Sequence, residues 1–175
     1  MSKSIFCVVN EFKAVRIVDR LKAAGFSNND VSVIMADKTG TRDFAHEHNT
    51  KAPEGAVAGA GTGAVIGGAL GWLAGIGTLA VPGLGPLIAA GPIMAALSGA
   101  AVGGGVGGLT GALIGMGIPE FEAKRYEGKV KNGSALLSVH SDSSEATDQA
   151  KKIFESEGAE DITTREEAGV AKSAR

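Results

Sequence analysis

The residues of this chain that could do chemistry are few and far apart. His46-Glu47-His48 is its one histidine cluster, and alternate spacing along an extended segment would set both imidazoles on one side as two metal ligands. Two ligands do not complete a site: His140 belongs to another part of the sequence and no cysteine lies near. A solvated linker without a functional metal is the expectation. Cys7 is the one cysteine, which excludes an internal disulfide, and a thiol inside the apolar run Ile5-Phe6-Cys7-Val8-Val9 reads as a small buried hydrophobe. Gly103 to Gly108 satisfies G-x-G-x-x-G, yet no strand precedes it, and any glycine-rich tract meets that pattern by chance; dinucleotide binding is not expected. Asp43, Glu47 and Glu54 are the carboxylates nearest a histidine, and no nucleophile stands beside them. The sequence therefore predicts no catalytic residues, no metal and no cofactor: a protein that is not an enzyme.

The elements that would position such residues are organised around Gly55 to Ile118, 64 residues without one charged side chain. Glycines recur there at every fourth position, at Gly55, Gly59, Gly63, Gly67, Gly71 and Gly75 and again at Gly99, Gly103, Gly107, Gly111 and Gly115. An interior glycine costs a helix in water about 1 kcal/mol relative to alanine, so a compensating environment is required. Lipid supplies one, and small-xxx-small rows let helix backbones approach closely. The stretch is read as an antiparallel glycine-zipper α-hairpin over 55–118. Its helices run from Gly55 to Val81 and from Leu87 to Ile118, and Val81-Pro82-Gly83-Leu84-Gly85-Pro86 is the turn. Each helix exceeds the roughly 20 residues a membrane span needs. The apolar side chains of the first are thin for lipid contact, so burial of the hairpin inside a water-soluble oligomer stays open beside membrane insertion. A row at i, i+4 drifts about 40° per step around a helix, so several neighbours are implied, hence a homo-oligomer. Gly59, Gly63, Gly67, Gly71, Gly75, Gly99, Gly103, Gly107, Gly111 and Gly115 are its expected interface.

On either side of the insert the same order of elements appears. Ile5 to Val9 suits a buried strand, Asn10 caps a helix whose face is Phe12, Val15, Val18 and Leu21, Gly25 stops it, and Val31 to Met35 is a second strand. Ala135 to Val139, a Ser143 cap, a stripe of Ala146, Ala150, Ile153 and Phe154, a stop at Gly158 and a short strand Asp161 to Thr164 repeat it. Two β-α-β halves predict an α+β, ferredoxin-like β-α-β-β-α-β domain from residues 4–36 and 133–165, with the hairpin inserted between strands two and three. Residues 37–54 are a linker, 119–132 a connecting helix with Phe121 and Tyr126 among basic residues, suited to solvent or a membrane surface, and 166–175 a flexible tail.

A net charge of −2 over 175 residues gives no electrostatic footprint for nucleic acid. No basic n-region opens onto an apolar h-region, so no secretory signal is expected. Lys51 precedes the hairpin, Lys124, Arg125, Lys129 and Lys131 follow it, and the turn has no basic residue; both termini are expected on the cytoplasmic side of the cytoplasmic membrane, with a soluble cytoplasmic assembly as the alternative.

Arg42-Asp43-Phe44-Ala45-His46-Glu47, Lys51-Ala52-Pro53-Glu54-Gly55, the glycine-rich stretch, Gly117-Ile118-Pro119-Glu120 and Glu122-Ala123-Lys124-Arg125-Tyr126 together resemble the YflT-like bacterial general stress proteins, over nearly the whole chain. Some relatives in that family are labelled ActD-like subunits of a quinol:electron acceptor oxidoreductase. The resemblance implies a stress association and, in the ActD-like alternative, membrane-complex subunits as partners, although the chain has no haem or iron–sulfur ligand pattern of its own.

Overall fold

The computed structural model describes residues 3–37, 72–73, 77–81, 84–94, 97 and 108–166. They form a mixed α/β structure around one antiparallel sheet of six strands: β1 (Lys3–Val9), β2 (Val31–Ala36), β3 (Gly77–Val81), β4 (Gly85–Ala90), β5 (Ala135–Ser141) and β6 (Glu160–Glu166), in the order β3-β4-β2-β5-β1-β6. The helices are α1 (Glu11–Ala23), α2 (Gly108–Gly115), α3 (Glu120–Lys131) and α4 (Ser144–Ser156). The expected halves are present as β1-α1-β2 and β5-α4-β6, and their strands interleave in one sheet. Glu166, read as the start of the tail, belongs to β6.

The helix ends follow the local chemistry. Asn10 accepts a hydrogen bond from Lys13 N at 2.9 Å and Ser143 one from Ala146 N at 3.1 Å, each satisfying an orphan donor of a first turn. Gly25 (φ +90°) and Gly158 (φ +66°) take the left-handed conformation that lets the following N–H reach back to Leu21 O and Phe154 O. Along α1 the buried side chains are Ala14, Val15, Ile17, Val18 and Leu21, and Phe12 is 67% exposed, which corrects the face that included it. The reason is angular: nine residues at about 100° each put Phe12 half a turn away from Leu21.

β1 is buried on both faces because the sheet is covered on both, as its unbroken apolar run demands. Ile5, Cys7 and Val9 meet α1 and α4 on one side with Val33, Leu137 and Phe154. Phe6 and Val8 meet a second layer on the other side, with Leu87, Ile93, Leu109, Leu113, Ile118, Tyr126 and Val130. That second layer comes largely from the charge-free stretch. From that stretch Ile93, Leu109, Ala112, Leu113 and Ile118 are buried against the sheet.

The helical hairpin is corrected in two places. Residues 77–81 and 85–90, assigned to its two helices and turn, are strands. β3 and β4 are antiparallel neighbours with Val81 opposite Gly85, and residues 82–83 of the expected turn lie outside the described residues. Ile88 is β-branched and suits a pleated surface, and Pro86 sits near a strand start where its missing N–H is tolerated. β4 also pairs with β2, from Val33↔Ala90 to Ala36↔Leu87, and Asp37 N donates to Pro86 O at 2.8 Å. The residues on either side of the expected turn thus belong to the sheet itself. Among the described residues no helix is long and apolar enough to cross a membrane. Gly59, Gly63, Gly67, Gly71, Gly75, Gly99, Gly103 and Gly107, the linker from residue 38 to 54 with His46 and His48, and residues 167–175 lie outside the described residues.

Candidate assembly surface

Of the predicted interface glycines, the described residues contain Gly111 and Gly115, both on α2. Seven of the eight residues in Gly-Leu-Thr-Gly-Ala-Leu-Ile-Gly have no side-chain polar group, so this short helix has no polar face to offer water. Leu109, Ala112 and Leu113 are buried against the sheet, while Ile114 is 43% exposed and Gly115 is exposed beside it. A Cβ built at Gly115 meets nothing within 4 Å. Thr110, the polar exception, is spoken for: its N–H donates to Glu127 Oε2 at 2.9 Å and its hydroxyl to the same oxygen. Glu127 reaches across from α3 and places a carboxylate at the positive N-terminal end of α2. The C-terminal end is closed by Ile118 N to Leu113 O at 3.0 Å and Gly117 N to Ile114 O at 2.9 Å.

α3 holds α2 in place and is itself fastened to β6. Tyr126 is fully buried, stacks on Phe6 with ring centroids 6.5 Å apart, and donates its hydroxyl to Asp161 O at 3.0 Å. Burial pushes its phenol above the ordinary value. Lys129 pairs with Asp161 at 2.7 Å and Glu160 at 2.8 Å, and Arg165 bonds Glu122 across the same seam. Hydrogen bonds to Asp161 and then Glu160 raise the Lys129 ammonium above its usual range. Asp161 sits at φ +51°, where the β1–β6 register breaks between Phe6 and Val8. On the surface of α3, Phe121 is 70% exposed with the Arg125 guanidinium 5.5 Å over its ring.

Among the described residues the other reactive side chains are dispersed. Cys7 is buried between the sheet and the α1–α4 layer, and burial pushes its thiol well above the ordinary range, the reverse of an activated cysteine. His140 lies on β5, with Nε2 3.5 Å from Asp142 Oδ1 and its backbone N–H donated to Asp30 O at 2.7 Å. It borders a cleft of about 240 Å³ whose floor includes Ser4, Ser32 and Ser138. Ser32 and Ser138 face each other across β2–β5, and Ser32 Oγ accepts from Ile93 N at 3.2 Å, so one hydroxyl anchors the second layer. Among the described residues no three His, Cys, Asp or Glu side chains converge as metal ligands. Glycine spacing singles out Gly111 and Gly115, which fall on α2. The serine floor was not singled out, and its signal was Ser32 and Ser138 set inside otherwise apolar runs.

No protein-family model, no curated protein and no solved structure matches the chain.

Proposed function

We propose that the protein is a non-enzymatic, self-assembling protein: a ferredoxin-like β-α-β-β-α-β domain whose glycine-rich insert joins copies of the chain. The ferredoxin-like reading is supported by the strand order β2-β5-β1-β6 and by one helix in each β-α-β half. The observation that carries self-assembly is α2, which buries Leu109 and Leu113 inward and still presents Ile114 and Gly115, with no charge, outward. A helix apolar on all sides belongs in an interior, and a second subunit supplies the missing side.

The self-shielding form of this assembly is favoured over a bilayer-spanning hairpin. The chain leaves the sheet at Asp37 and returns to it at Gly77, so any crossing between them must be paired with a return. Its charge-free part, 55–76, has the length of one span of roughly 20 residues and not of two. The YflT-like resemblance adds a stress association. Co-elution with haem-containing partners from native material would support the ActD-like alternative.

The test is Gly115→Leu. Leucine is a better helix former than glycine, and its Cβ meets nothing in the isolated subunit, so the fold should persist while the close approach of a neighbour is blocked. Light scattering with and without detergent should show an oligomeric wild type and a smaller variant with unchanged circular dichroism. An oligomer of unchanged mass would remove α2 from the assembly surface.

A further inference from the structure

The two ends of the sheet are built differently. β6 carries Glu160, Asp161, Arg165 and Glu166, a register break and a residue at positive φ, devices that keep an edge strand from pairing with another chain. β3, at the other end, is Gly-Thr-Leu-Ala-Val, with no charge, no proline and an unbroken register.

Pro86 fixes which β3 groups face outward. Opposed residues in an antiparallel ladder alternate between pairs that exchange two hydrogen bonds and pairs that exchange none. Pro86 stands opposite Ala80 on one side, and on the other its carbonyl accepts from Asp37 N at 2.8 Å. Its hydrogen-bonding side is therefore toward β2, and Ala80↔Pro86 is a non-bonded pair. By alternation Gly77, Leu79 and Val81 bond to β4, and the N–H and C=O groups of Thr78 and Ala80 point away from the sheet. Among the described residues β3 has one ladder neighbour, β4.

We infer that this edge joins two copies of the chain, β3 against β3, antiparallel about a two-fold axis at Leu79. The outward groups lie symmetrically about that residue. Thr78 then exchanges two hydrogen bonds with Ala80 of the partner subunit, Ala80 exchanges two with Thr78 of the partner subunit, and the sheet runs on through both subunits. Outward donors and acceptors that have no partner among the described residues and are their own complement under a two-fold need no other sequence, which is why a second copy is the occupant. The inference names a contact within the self-assembly proposed above and rests on it.

Ala80→Pro tests it, because it removes an outward N–H and leaves every N–H that β4 uses; an edge strand tolerates proline at such a position. The assembly mass by light scattering should fall to about half the wild-type value. Hydrogen exchange on the wild type gives a second, independent reading. The amides of Thr78 and Ala80 should be protected at high concentration and lose protection on dilution, while those of Leu79 and Val81 stay protected throughout. An oligomer that Gly115→Leu dissociates but Ala80→Pro leaves at full mass overturns the β3 contact alone, as does protection of Thr78 and Ala80 that ignores dilution. A wild type monomeric at every concentration overturns this contact and the self-assembly together.

Discussion

At the scale of single residues, Glu157 shows how one ion pair is worth different amounts from its two ends. Its side chain is 6% exposed and meets Arg16 at 3.1 Å and Arg20 at 2.9 Å, while both guanidinium groups reach water. Removing the carboxylate in Glu157→Ala frees two arginines to resolvate, a loss of about 1 kcal/mol. Removing both arginines strands a buried carboxylate and should cost about 3 kcal/mol. Urea unfolding of the two variants checks the ordering. Cys7 sets a pH dependence. Burial raises its thiol well above the ordinary value of 9.0, so the native state keeps a proton that the unfolded chain gives up. Stability from this group is complete below pH 9 and is lost as pH rises from there toward the folded value, at a slope of about 1.4 kcal/mol per pH unit. Cys7→Ala should be less stable at neutral pH and show a shallower decline from pH 9 to 10, measured by denaturant midpoints. Tyr126 and Lys129, both raised, act in the same direction from about pH 10 upward.

At the scale of elements, the second layer depends on the seam between α3 and β6. Glu122 and Arg165 bond each other there, and Glu122 Oε2 and Arg165 Nε are buried without a further hydrogen bond among the described residues. A half-satisfied pair of this kind is sensitive to losing one member. Arg165→Ala should destabilise by about 3 kcal/mol, and adding Glu122→Leu should recover part of that, since an apolar replacement of the whole pair removes the uncompensated charge. A double-mutant cycle measures the recovery. The β3–β4 hairpin has its own weak point at Gly85, whose φ of +80° suits glycine. Gly85→Ala should cost about 1 kcal/mol and show first as faster amide exchange in β3 and β4, because the strain falls on the Val81–Gly85 pair at the end of their ladder.

At the scale of the whole molecule, covering both faces of the sheet decides where copies can meet. α1 and α4 close one face, and α2 and α3 close the other, so broad sheet-to-sheet contact is ruled out for the described residues. The two proposed contacts, the outer side of α2 and the edge of β3, are of different physical kinds, one apolar packing and the other backbone hydrogen bonding. Gly115→Leu and Ala80→Pro should consequently act additively on assembly, since no single group serves both contacts. The combined variant should sediment as a folded monomer of 17.5 kDa in analytical ultracentrifugation.

Local chemistry alone determined the strands at Ile5–Val9, Val31–Met35 and Ala135–Val139, the Asn10 and Ser143 caps and the Gly25 and Gly158 stops, because each depends on neighbours within a few residues. Tertiary structure alone decided the fate of Gly77 to Ala90. Glycine, alanine and scattered aliphatics there have no period strong enough to separate helix from strand, and the free edge of β2 supplied the hydrogen bonds that selected strand. It likewise decided Phe12, where a repeat of three suggested a face that a turn of 3.6 residues does not keep. The bulk of the charge-free stretch looked like lipid contact because hydropathy records the need for burial without naming the partner. In α2 and around Ile93 that partner is the domain's own sheet.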